Sequence, residues 1–173
     1  MRMFLSTHID ATQEAVFSAV SDFPNAADMV GGIDSVEMLQ PARDGTPIGV
    51  GTRFREARTM MGKQAVEEME VTEFDPPRAY TLSAVSCGVK FDSRVTCLDE
   101  TPGGGQAGGQ SGERSGGCRL SYDIKSQPQT LVAKVVSPIM GLMMKGTMRK
   151  MMEKDLADIK AYVEGRNGAG QSA

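Results

Sequence analysis

The sequence predicts an α+β domain in which a curved antiparallel sheet is held against one long C-terminal helix. Three observations carry this. Val71 to Leu82 joins two strand-like runs through an Asp75-Pro76-Pro77 corner, where two prolines donate no ladder hydrogen bonds and pairing must stop. Cys118 to Lys125 alternates Cys118, Leu120, Tyr122 and Ile124 with Arg119, Ser121, Asp123 and Lys125, the period of a strand with one face buried. Near the C-terminus, Met140, Met144, Met148 and Met151 share one helical stripe, and Met152, Leu156, Ile159 and Val163 continue an adjoining one. A sheet wrapped on a single helix tends to leave a cavity between the two.

The elements follow in order. Arg2 to Ile9 reads as a strand. Asp10 or Thr12 can cap a helix to about Val20, whose apolar face is Ala15, Val16, Ala19 and Val20. Asp22-Phe23-Pro24-Asn25 ends it, and a short helical turn from Ala26 to Met29 precedes Gly31-Gly32. Ile33 to Leu39 is the second strand, and Pro41 to Val50, with Asp44-Gly45 and two prolines, is a loop. Thr52 to Met61 and Gln64 to Phe74 pair about a turn at Gly62. Arg78 to Ser86 and Val89 to Leu98 pair about Cys87-Gly88, completing an antiparallel meander with the strand from Cys118. Thr101 to Gly117 holds eight glycines in seventeen residues and reads as a mobile hairpin loop. Thr130 to Val136 reads as a short helix or helical lead-in, Ser137-Pro138 signals the start of the long helix, and Gly165 its end. A single domain over residues 1–164 with a disordered tail over 165–173 is expected.

Net charge is -3 over 173 residues, which supplies no electrostatic footprint for DNA or RNA. Arg2-Met3-Phe4-Leu5 runs directly into polar residues without the apolar core of a signal peptide, and no eighteen-residue apolar run occurs. A cytoplasmic protein without an integral membrane segment is therefore expected, as a monomer or homodimer. The chain has one histidine and three cysteines, none in a CxxC pair, so neither a Cys/His zinc site nor any other cofactor is expected. A hairpin centred near Gly108 would place Cys97 and Cys118 roughly opposite one another, as free buried thiols.

The element order resembles the helix-grip fold, the superfamily of START lipid-transfer domains, birch-pollen-allergen-like proteins and polyketide cyclases/dehydrases. The residues that carry the resemblance are Ala15-Val16-Phe17 through Ser21-Asp22, Gly51-Thr52-Arg53-Phe54, Val71 to Arg78 with Pro76-Pro77, and Cys118-Arg119-Leu120-Ser121-Tyr122. It spans nearly the whole chain, from Phe4 to about Val163, and the long Gly-rich insertion departs from the family's usual short turn. The resemblance implies a cavity between the concave sheet face and the C-terminal helix. A period of two then points Phe54 inward from its strand, Met69 and Val71 from the next, and Tyr80 and Leu82 from the one after. Phe91, Val95, Leu120 and Tyr122 follow on the last two strands, with Met140, Met144 and Met148 from the helix.

Function divides along the chemistry of that interior. With 13 methionines, no tryptophan and 5% aromatics, a deformable apolar wall suits carriage of a lipid, aromatic polyketide or quinone-like molecule. A cyclase or dehydratase would need an inward acid or base, and parity with Phe54 nominates Glu56 and Arg58. The favoured reading of that pair is nonetheless an ordinary exposed cross-strand ion pair. His8, beside Ser6 and Asp10, is the one histidine available to nucleophilic catalysis. A third reading, a protein-interaction module, would require a large exposed apolar patch.

Overall fold

The computed structural model describes residues 2–60, 62–86, 88–100, 117–129 and 131–170, with side chains at these positions apart from 60, 63, 131–145 and 167–170. Strand β1 (Arg2–Ile9) is followed by α1 (Gln13–Val20), a 3-10 turn (Phe23–Asn25) and the four-residue α2 (Ala26–Met29). Then come β2 (Ile33–Gln40), β3 (Arg53–Met60), β4 (Lys63–Asp75), β5 (Ala79–Ser86), β6 (Val89–Asp99), β7 (Cys118–Pro128) and α3 (Leu131–Gly170). The strands form one antiparallel sheet in the order β1-β7-β6-β5-β4-β3-β2.

Local chemistry accounts for the junctions. Thr12 caps α1 by accepting a hydrogen bond from Ala15 N at 3.2 Å, leaving the Asp10 N–H to donate to Glu164 on α3. The two tight hairpins turn at Gly62 (φ 74°) and Gly88 (φ 75°), backbone conformations that glycine adopts without a Cβ penalty. The Pro76–Pro77 bond at the corner between β4 and β5 is cis.

One face of the sheet is buried. Ile9, Phe54, Val71, Tyr80, Val95 and Leu120 meet Val16, Phe17 and Val20 of α1 and Leu156, Ile159 and Val163 of α3 in one core. Phe23 stacks on Phe54 with centroids 4.7 Å apart, Phe17 tilts against Phe74, and the Tyr80 hydroxyl donates to Val20 O at 2.8 Å. The opposite, convex face is solvated and carries ion pairs such as Arg2–Asp123 and Arg55–Glu37. Glu68 and Glu70 also belong there, against Arg53 and Arg43. Water and salt screen such exposed pairs, so they add little to stability.

The structure corrects several sequence expectations. Helix α3 runs unbroken from Leu131, so the helical lead-in and the helix signalled at Ser137-Pro138 are one element: Leu131 to Val136 contains no breaker and Pro138 is accommodated as an interior residue at the loss of one N–H. It continues past Gly165 to Gly170, where a disordered tail was expected; Arg166 lies over the Tyr162 ring and donates to its hydroxyl. Cys97 pairs with Leu120, and Cys118 with Asp99, so the thiols lie roughly opposite as expected, as diagonal neighbours. Burial of one strand face dictates parity, and a two-residue offset leaves parity unchanged. Both cysteines are free and buried, and the Cys97 thiol is pushed far up by its hydrogen bond to Cys118 and by burial. The Gly-rich segment over 101–116 lies outside the described residues.

Candidate functional site

On β3 the period-two alternation turns Phe54, Glu56 and Arg58 to the concave face, and Arg53 and Arg55 to the convex one. Across the ladder, Phe54 faces Met69, Glu56 faces Glu67 and Arg58 faces Ala65 on β4. The pleat therefore places a charged pair over the interior. The partner that completes it comes from α3, where Asp155 sits three residues after Met152 and four before Ile159, on the helix's apolar stripe.

Arg58 lies between two carboxylates. Its Nε donates to Glu56 Oε1 at 2.7 Å and its Nη1 to Asp155 Oδ2 at 2.9 Å. The Arg58, Glu56 and Asp155 side chains retain 14%, 11% and 5% of their exposure. This largely buried trio corrects the exposed strand-face ion pair that the sequence favoured for Glu56 and Arg58, because the pleat and Asp155 of α3 withdraw both from water. Asp155 was not among the residues nominated from the sequence, although a charge at apolar helical spacing was the signal that could have found it.

The electrostatics follow from burial. Loss of solvent pushes the Glu56 carboxyl up; Arg58 draws it back only in part, and the neighbouring Asp155 and Glu67 charges push it further up. Burial likewise raises Asp155 against the opposing pull of Arg58. Arg58 is held charged because the two carboxylates outweigh its own desolvation. Tyr122, on β7, feels the same cluster: burial and then the Asp155 charge push its phenol upward. With both carboxylates ionised the trio bears one net negative charge, and with one protonated it becomes a neutral group able to donate or accept a proton.

The nominated lining residues separate into two groups. Phe54, Val71, Tyr80, Val95 and Leu120 are buried core residues, filled in by aromatic stacking, the Tyr80 hydrogen bond and α1. Met69, Leu82, Tyr122 and Met148 are partly buried against that core. Phe91 is half-buried and pairs with Ala84 and Ser126 at the far end of the sheet. The side chains of Met140 and Met144 lie outside the described residues. Ile124 and Met152 join the partly buried set without having been nominated. Among the described residues the Tyr122 hydroxyl has no hydrogen-bond partner.

His8 stands apart, on the opposite face of β1. Its Nδ1 lies 2.6 Å from Glu100 Oε2 and its Nε2 2.9 Å from Asp10 Oδ1. Two carboxylates against both ring nitrogens raise the imidazole pKa, Glu100 contributing most. No serine or cysteine nucleophile is among its hydrogen-bond partners in the described residues, so the arrangement is an ion-paired clasp.

Comparison with known proteins places this geometry. A START superfamily protein from Mycobacterium smegmatis superposes with a TM-score of 0.65 at 16% identity, over 95% of this chain and 97% of that one. The Zhui aromatase/cyclase from a Streptomyces species gives 0.68 at 13% identity, over 96% and 94%. A protein from Thermus thermophilus gives 0.62 at 18% identity, over 99% and 100%. These likenesses establish the helix-grip fold. A search of curated proteins found no match to the sequence. The family model for polyketide cyclase / dehydrase and lipid transport proteins matches residues 2–164, and the chain belongs to that family.

Proposed function

We propose that this protein binds a small apolar molecule between the concave sheet face and α3, with the molecule's polar end at Glu56, Arg58 and Asp155. The observation that carries the reading is the juxtaposition of one buried charged trio with half-buried apolar side chains. Met69, Leu82, Tyr122, Met148 and Met152 pack only partly against the core, and a closed core rarely leaves such residues half-covered beside buried charges. Family membership supports it. Among the described residues, no helix is long and apolar enough to cross a membrane. Native mass spectrometry of freshly purified protein, followed by organic extraction, tests the proposal. An apolar adduct of a few hundred daltons supports it; protein that stays free of adduct when offered apolar ligands would sink it.

A second reading, a cyclase or dehydratase, draws on one specific feature. Burial raises both Glu56 and Asp155 toward the range of a usable general acid, close to the Tyr122 phenol. In this reading Glu56 or Asp155 exchanges a proton with a substrate oxygen while Arg58 steadies the charge that develops. Glu56→Gln would then abolish turnover of a polyketide-like substrate while preserving its binding. Unchanged turnover removes Glu56 from the role.

A further inference from the structure

Given the binding site proposed above, we infer that its ligand presents a hydrogen-bond donor, a hydroxyl or an ammonium, to the buried trio, and that an anionic head group is selected against. The trio's charge balance and the atoms already engaged set this preference. The trio's cation, Arg58, is bound by Glu56 Oε1 and by Asp155 Oδ2. Lys154, the next cation along α3, is held by Asp158 at 2.6 Å. An incoming carboxylate or phosphate could reach Arg58 only through its remaining Nη donors, and would add its charge to a trio that already bears one net negative charge, with Glu67 adding another across the ladder.

A donor meets the opposite situation. The second oxygens of these groups, Glu56 Oε2 and Asp155 Oδ1, have no hydrogen-bond partner among the described residues, and neither has the Tyr122 hydroxyl. No fully buried side-chain polar atom among those residues lacks a partner, so these three oxygens border accessible space. A hydroxyl can donate to either carboxylate oxygen and accept from Tyr122. An ammonium can donate to both carboxylates and neutralise the net charge of the trio. Neither requires an ion pair to break.

The test is competition for a bound uncharged fluorophore, N-phenyl-1-naphthylamine, by dodecylamine, dodecanol and dodecanoate below their micelle concentrations at neutral pH. The three share one chain and differ at the head. Dodecylamine and dodecanol are expected to displace the fluorophore at about tenfold or more lower concentration than dodecanoate. In the Glu56→Gln/Asp155→Asn double variant the gap should close to about threefold or less. Dodecanoate competing as well as the other two overturns donor selection and leaves the pocket standing. A fluorophore that does not bind, or is displaced by none of the three, overturns the pocket and this inference together. Because the double variant alters a buried ion pair and can fail to fold, Tyr122→Phe, which leaves both pairs intact, supplies the second variant. It should weaken dodecanol about threefold or more relative to dodecylamine, whose ammonium needs no donor from Tyr122; an unaltered ratio of the two overturns the assignment of Tyr122 as a partner of the hydroxyl.

Discussion

Arg58 faces Glu56 at 2.7 Å and Asp155 at 2.9 Å, and all three side chains are largely withdrawn from water. Removing the cation leaves two buried carboxylates without compensation, so Arg58→Met should cost about 3–5 kcal/mol in urea unfolding at neutral pH. The loss should shrink in acid, where the carboxylates take up protons. An equal loss at both pH values would mean that packing rather than charge holds the trio. At His8 the linkage has the opposite sign to that of an ordinary surface carboxylate. Glu100 and Asp10 raise the folded imidazole above its ordinary 6.5, so its contribution is fully present below that unfolded value and is lost as pH rises through the higher folded one. Glu100, itself lowered by His8 and Arg119, contributes above its ordinary range and loses its share in acid. The clasp is therefore most stabilising in the mildly acidic interval between the two. An NMR titration of the His8 ring should show an inflection above 6.5 that moves down in Glu100→Gln; an inflection unmoved by that change would reject the pairing. His8 was legible in the sequence as a single histidine beside Asp10. Glu100, ninety-two positions away, was not, because only the ladder joining β1, β7 and β6 brings it near.

At the scale of the elements, the two faces of the sheet and the stripe of α3 determine what a substitution costs. Ile159 is 1% exposed beneath the sheet, whereas Val66 is 54% exposed on the convex side. Ile159→Ala should lower stability by about 2–5 kcal/mol through lost contacts and a residual cavity. Val66→Ala should stay within about 0.5 kcal/mol. Similar costs at both positions would contradict the assignment of faces. Strand parity was readable from β3 to β7 because a half-buried strand must alternate. What parity could not show was the irregularity on β4, where Val71 pairs with Leu82 but Glu73 pairs with Thr81. The extra residue, Thr72, turns Phe74 rather than Glu73 toward the core, where it meets Phe17. A bulge of this kind is selected by cross-strand packing, to which the local sequence is blind.

For the molecule as a whole, the sheet, α1 and the C-terminal half of α3 enclose one core, with the charged trio at its border. A ligand that occupies this border binds the folded chain and not the unfolded one. At one hundred times its Kd it should therefore add about 2.7 kcal/mol of stability. A thermal melt with the best competitor from the displacement series should rise by several degrees, and a melt unmoved at saturation would argue against an interior site. The sequence by itself determined the class of fold, the order of the elements, the inward parity of Phe54, and the apolar stripe on which Asp155 falls. All of these are periodic, local properties that a chain displays before it folds. Only the tertiary structure decided that Asp155 and Glu56 share one guanidinium and that Phe54 and Tyr80 are consumed in packing around α1. It also decided that Tyr122 and Met69 stay half-covered beside the charges. Those outcomes depend on contacts between segments up to about a hundred residues apart, formed by burying a shared surface that no single segment encodes.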